Sequence, residues 1–414
     1  MNGAEYIAEF LTKIGSKKVF VVTGGACAFI IDAIAQNQEV DYYPFQHEQA
    51  AAMAADSLWK IDKTIGVTVV TSGPGATNLI TGIACSYFDS IPTIHITGQV
   101  NQVEKEIYQG AAVRQAGFQE TNIVDMVKPI TKYAVQVTSV EELKIELAKA
   151  YEIALSGRMG PVLIDVPMDV QQADAGDSIV INEPKLNLLD ADHKDSIQNS
   201  IKNFFKDSQR PLVLFGAGVG LADQSEVALN FIESNNLPFV SSWNGMNFFN
   251  HNHINYYGNI GVYGNRGANF ILQSCDRLLV LGSRLDNRQR GNVKKFAANA
   301  NVLVIDIDQG ELDKHKNNPN HQMIKMDFCN LHEIIDTLNN YLVKENIVGI
   351  QEIDTRMLTK LIRTQGAMNG IISSIDLNIN SLKHKLKNVP PMQGYDLAQK
   401  VSTNKQYNWI PNNK

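Results

Sequence analysis

Several large protein classes are excluded by what this sequence has little of. Four cysteines occur in 414 residues, Cys27, Cys85, Cys275 and Cys329, far apart and mostly in apolar surroundings. A disulfide framework or a clustered zinc site is therefore excluded, and buried free thiols are expected. Charge is sparse, at 19% Asp, Glu, Lys and Arg, and the net value of −6 gives no basic footprint for nucleic acid. No apolar run approaches the roughly 20 residues of a membrane span. Met1 to Glu5 have neither the basic nor the apolar region of a signal peptide, so the expected location is cytoplasmic. The rest is an ordinary globular composition, 44% hydrophobic, in a chain long enough for two or three cores.

What is present is a regular alternation of helical and strand patterns. Residues 5–14 set Ile7, Phe10, Leu11 and Ile14 on one helical face, and residues 18–22 read as a buried strand. The same pairing recurs along the chain, with strands expected at 40–45, 66–70, 93–97 and 161–167 and helices at 49–59, 79–87 and 140–155. This rhythm predicts an α/β protein with two doubly wound parallel-sheet domains. The first domain is expected over residues 1–171, a polar linker over 172–195, a second domain over 196–342 and an incomplete tail over 343–414.

The stretch Phe45-Gln46-His47-Glu48-Gln49-Ala50 sets a carboxylate at a strand-to-helix junction, where open α/β sheets bind ligands. Just downstream, the strand ending at Val70 breaks at Thr71-Ser72-Gly73-Pro74-Gly75-Ala76-Thr77-Asn78, and the first free N–H groups of the following helix face the same edge. Taken singly, Glu48 is no more than a helix N-terminal acid favoured by the dipole, and Gly73-Pro74-Gly75 no more than a tight turn. Thr23-Gly24-Gly25 ends the first strand, and Gln99 ends the strand at 93–97, facing the ligand edge. Residues 101–122 read as a loop containing Arg114-Gln115-Ala116-Gly117-Phe118-Gln119. In the second domain, Gly216-Ala217-Gly218 follows a strand but lacks the last part of the dinucleotide fingerprint. Two further strands end at Gly282, before Ser283-Arg284-Leu285-Asp286, and at Asp306-Ile307-Asp308. Acids at strand ends suit ribose hydroxyls, and an arginine beside them suits a diphosphate.

The ordered series of Glu48, Gly73-Pro74-Gly75-Ala76-Thr77-Asn78, Asp89-Ser90-Ile91-Pro92 and Gly160-Pro161-Val162 resembles thiamine-diphosphate enzymes of the acetolactate synthase large-subunit type, over roughly the first 340 residues. The resemblance implies a pyrimidine-binding domain followed by a central FAD-binding-like domain. Glu48 is then the acid that hydrogen-bonds the aminopyrimidine and promotes formation of the carbanion that attacks a 2-keto acid. Gly24, Gly25, Thr71, Pro74, Gly75 and Asn78 lie against thiamine diphosphate, and Phe118 and Gln119 lie near substrate. Gly216, Ala217, Gly218, Gly282, Arg284, Asp286, Asp306 and Ile307 hold FAD, as a structural group. The implied reaction is carboligation or decarboxylation of 2-keto acids, best specified as pyruvate to 2-acetolactate in branched-chain amino acid biosynthesis. Thr23 stands where many relatives have proline, which is more like members found in surface-polysaccharide loci and keeps a lyase of sugar biosynthesis open.

The third domain of such enzymes should begin near Tyr395, with a Gly-Asp-Gly motif and an asparagine that carry Mg²⁺. That motif is absent, so no metal site is assigned to this chain. Because the cofactor in this family lies between subunits, the resemblance implies a homodimer or tetramer, or a separate chain that supplies the diphosphate domain. A non-catalytic or split-enzyme subunit is the alternative.

Overall fold

The computed structural model describes residues 1–107, 113–293, 295–335 and 379–387. Two six-stranded sheets fall within one compact unit, Met1–Ile347. The helix Ile379–Lys387 belongs to a second unit and is described by itself. The rest of the expected tail, including the expected start of a third domain near Tyr395, lies outside the described residues.

The first sheet is built from β1 (Lys18–Val21), β2 (Asp41–Pro44), β3 (Gly66–Val70), β4 (Thr93–Gln99), β5 (Tyr133–Gln136) and β6 (Val162–Pro167), in the order β2-β1-β3-β4-β6-β5. The second contains β7 (Pro211–Phe215), β8 (Phe239–Ser241), β9 (Tyr256–Asn259), β10 (Arg277–Leu281), β11 (Asn301–Asp306) and β12 (His321–Lys325), in the order β12-β11-β10-β7-β8-β9. Every described pairing in both sheets is parallel. Strands β3, β4 and β6 are buried along their whole length; β3 and β6 accordingly read as nearly continuous apolar runs, whereas β4 alternates Thr93, His95 and Thr97 with isoleucines although both faces are covered. Packed helices cover both faces. The first helix, Gly3–Lys13, is fixed at its start by a reciprocal pair in which Asn2 and Glu5 each accept the other's backbone N–H.

Each sheet has a central point where the strand order reverses, and the first reverses again at its β6-β5 edge. The central reversal lies between β1 and β3 in the first sheet and between β7 and β10 in the second. At such a point neighbouring loops leave in opposite directions and open a crevice at the carboxyl ends of the strands.

Three expectations change in detail. Residues 102–106 are helical, although the run was expected to be loop; Gln102 N–H donates to Asp169 Oδ2, which anchors the start of that turn. The expected linker is tied down along its length. Val180 N–H donates to Tyr6 Oη, Leu189 N–H to Asn330 Oδ1, and the helix Ala191–Phe205 already begins within it. Gln99 does not face a ligand edge: it is 1% exposed, and its amide nitrogen donates to Asp165 Oδ2 and Thr121 O. Cys27 and Cys275 are buried free thiols, with burial pushing them up to about 11 and about 12, while Cys85 and Cys329 are half-buried.

Candidate cofactor sites at the two crevices

The crevice between β1 and β3 is formed from two turns that meet closely. Gly24, after β1, lies against Thr71, after β3, and a Cβ at position 24 would sit 2.4 Å from Thr71 Cβ. Thr71 Oγ1 accepts from Ala26 N–H, which locks the turns together. Gly98, on β4, backs directly onto Ala26 O. The helix Pro74–Asn78 starts with its proline in the first turn, where no N–H is needed.

Glu48 enters from the third side, on the first turn of the helix Glu48–Asp62, with Phe45 N–H donating to Val21 O just before it. His47 caps that helix through Nδ1, which accepts from Gln49 N–H, so the histidine is a hydrogen-bonding neighbour. Glu48 is 8% exposed, and its Oε2 accepts from Asn78 Nδ2 at 2.9 Å. Among the described residues, Oε1 has no hydrogen-bond partner. It faces Gly75, where an added Cβ would lie 3.3 Å from Oε1 and 2.8 Å from Thr71 Cγ2. The glycine therefore keeps open the space in front of the free carboxylate oxygen.

The expected closing segment also reaches this place. Gln119, with φ of 57°, packs over Gly73, with φ of 61°, closely enough that a Cβ on the glycine would meet Gln119 Cβ at 2.8 Å. Phe118 beside it is 83% exposed. Gly24, Thr71, Gly75, Asn78, Glu48 and Gln119 are thus gathered around one crevice, with Pro74 opening the adjoining helix. Gly25 differs, since a Cβ there would meet nothing within 4 Å. Sequence reasoning missed Ala26, Gly98 and Gln171 as supports. Gln171 is fully buried and donates through Nε2 to Ala26 O, a role that only the folded contacts reveal.

The second crevice opens into a cleft of about 440 Å³. Its floor is the close approach of two glycine turns: a Cβ on Gly216 would fall 1.9 Å from Gly282 O, and Gly218 N–H donates to that oxygen. Gly282 has φ of 61°, a backbone conformation that favours glycine. Ala217, Gly218, Gly282, Arg284, Asp286, Asp306 and Ile307 line the cleft, while Gly216 packs underneath. Asp306 is buried, and that burial pushes its carboxyl above the ordinary range. Asp286 is less free than the sequence suggests, because its carboxylate caps the helix Asn287–Arg290 by accepting from Arg288 and Gln289 N–H.

One wall is aromatic and basic. Trp243, Tyr263 and Arg288 cluster at the mouth, with the two rings edge to face at 5.6 Å and the guanidinium over Tyr263. Arg158 crosses from the first sheet, takes Ser90 Oγ on one side and pairs with Asp308 at 2.6 Å on the other.

Comparison with known proteins agrees with this geometry. Residues 1–126 match the thiamine pyrophosphate enzyme N-terminal TPP binding domain, and residues 199–326 match the thiamine pyrophosphate enzyme central domain. The chain carries the N-terminal and central domains of the thiamine pyrophosphate enzymes. Residues 311–372 match a different family, the CPSase domain of the carbamoyl-phosphate synthase small chain, largely outside the described residues.

Among curated relatives, the acetolactate synthase isozyme 2 large subunit of Escherichia coli is 35% identical over 314 residues, which are 76% of this chain and 55% of that protein. The probable acetolactate synthase large subunit of Methanocaldococcus jannaschii is 36% identical over 76% of this chain and 52% of its own length. That of Corynebacterium glutamicum is 34% identical over 76% and 49%. The chain spans about half the length of the curated relatives it matches. Among the described residues, no helix is long and apolar enough to cross a membrane, and no cluster of metal-ligating side chains occurs.

Proposed function

We propose that this chain supplies the cofactor-activating half of a thiamine-diphosphate-dependent enzyme acting on 2-keto acids, with pyruvate to 2-acetolactate as the best-specified reaction. The observation that carries this reading is the half-satisfied Glu48 carboxylate: one oxygen is fixed by Asn78, and the other faces a space kept open by Gly75. The donor set fits an aminopyrimidine. Glu48 Oε1 would hold the proton shared with a ring nitrogen, while the backbone of Gly24 and Gly73 and the Thr71 side chain would bracket the ring. Thiamine diphosphate supplies an electron sink for the carbanion left when a 2-keto acid loses its carboxylate. Gln119, packed on Gly73, would limit water at the same spot, with exposed Phe118 next to the entering substrate.

The central cleft fits a flavin nucleotide held for structure. Arg284 would take diphosphate, buried Asp306 the ribose hydroxyls, and Trp243 with Tyr263 a flat ring. Mg²⁺ and the diphosphate would be held by a diphosphate-binding domain outside the described residues, at a site shared between chains of a cytoplasmic oligomer or with a separate partner chain.

The test is a pyruvate-consumption assay with thiamine diphosphate and Mg²⁺, on the chain assembled with a partner that carries a diphosphate-binding domain. Consumption that disappears in Glu48→Gln is expected. Full activity in that variant would overturn the role of Glu48.

A further inference from the structure

The helix that presents Glu48 runs for 15 residues, and its far end touches the central domain. It stops at Lys63, whose φ of 61° places it in the left-handed region. Glycine is usual at such a helix end, and a side chain there is strained. What holds the lysine in place is visible. Its Nζ donates to Gly220 O at 2.8 Å and lies over the rings of Trp59 and Phe248. Gly220 belongs to the helix Ala217–Leu221 that floors the cleft, and a Cβ there would meet the Phe248 ring at 2.0 Å.

A second line runs from the same helix. Lys60 bridges buried Asp56 and Asp89, and Asp89 accepts from Asn244 Nδ2 at 2.9 Å. Asp89 and Asn244 both line the cleft, and Asn244 and Phe248 share the segment Trp243–Phe248. Both lines from the Glu48 helix therefore end on the two segments that wall the cleft.

We propose that Lys63 and Asp89 are positioning residues that couple occupancy of the central cleft to the placement of the Glu48 helix. The proposal rests on the nucleotide reading of that cleft. A ligand held between Ala217–Leu221 and Trp243–Phe248 fixes Gly220 O and Asn244, which restrains Lys63 and the Lys60–Asp89 pair. The helix carries that restraint along its axis to Glu48. A nucleotide with no redox role would then act on the thiamine site through mechanics alone.

Hydrogen exchange on the full chain, with and without FAD, tests this, with quenching of flavin fluorescence reporting binding. In the wild type, FAD is expected to slow exchange of the amides at 56–63 by about tenfold, a typical size for coupling between sites. Lys63→Gly puts the preferred residue at the helix end, so it should keep its fold and its flavin binding, yet protection should shrink to about threefold, the Lys60–Asp89 line remaining. Lys63→Met keeps the contacts with the two rings and should lose protection equally, which separates the hydrogen bond from packing. Flavin binding without protection in the wild type, or equal protection in Lys63→Gly, would overturn the coupling while leaving the nucleotide reading in place. Absence of flavin binding would overturn the nucleotide reading, and the coupling with it.

Discussion

The crevice of the first sheet presents one carboxylate to tightly packed glycine turns, whereas that of the second opens into a cleft walled by Arg158, Arg284 and Arg288 with Asp306 and Glu311 nearby. On the proposed reading, the same topological device serves two kinds of recognition. Where turns meet at contact distance, as Gly24 meets Thr71, the backbone itself forms the wall. On the same reading, the remainder of the ligand is held elsewhere, which suits a site shared between chains. Where the strands splay and charged side chains of both signs reach in, a whole anionic nucleotide can be held within one chain.

The sharpest way to break this comparison is at Glu48. Glu48→Gln preserves shape and the bond from Asn78, but removes the acid; turnover of the assembled enzyme should fall by at least about 100-fold, the range of a single proton-transferring group. Steady-state rates, with circular dichroism to confirm folding, check it. Next comes the tightness of the first crevice. Gly24→Ala should destabilise the fold by about 2 kcal/mol, because the new Cβ collides with Thr71, whereas Gly25→Ala should stay within about 0.5 kcal/mol. Urea unfolding separates the two.

For the second crevice, Arg284→Ala or Asp306→Asn should weaken flavin retention by about tenfold, in line with loss of one charged hydrogen bond. Unfolding of the first sheet should not change. The yellow colour of the purified protein and a flavin titration read the effect.

Acid offers a test that acts on both domains at once. Burial holds His95, between Thr68 and Thr93, down to about 3, and burial together with His321 and Arg290 holds His315 down to about 4. Each is a base whose folded value lies below its unfolded one, so the unfolded chain takes up the proton first. Stability is full above about pH 6.5 and is lost as pH falls towards 4 and then 3, by up to about 1.4 kcal/mol per pH unit and group. Unfolding midpoints measured between pH 7 and 4 should show this decline.

Much of the fold was legible because parallel strands buried on both faces leave continuous apolar runs, as β3 and β6 do. Glu48 and the glycine turns were legible because their spacing places them at strand ends. What escaped notice depends on contacts far apart in the chain. Gln99 looked like a ligand-facing residue until Asp165, on β6, was seen to take its amide. Asp286 has the type and place of a ribose acid, yet local backbone N–H groups claim it as a cap. The aromatic wall at Trp243 and Tyr263 joins residues from separate loops, and the contact from Lys63 to Gly220 spans 157 positions of sequence. Short-range pattern reports where the chain turns, and only the packed sheets report which turns meet.

The most direct test of a thiamine half-site built on Glu48 is a calorimetric titration of the full chain with thiamine diphosphate, with and without Mg²⁺, in the wild type and in Glu48→Gln. Gripping the pyrimidine alone should give weak binding, with a Kd of about 1 mM, that is indifferent to Mg²⁺ and lost in the variant. Tight, Mg²⁺-dependent binding would mean that this chain holds the diphosphate itself, and equal binding by Glu48→Gln would mean that the carboxylate does not face the ring.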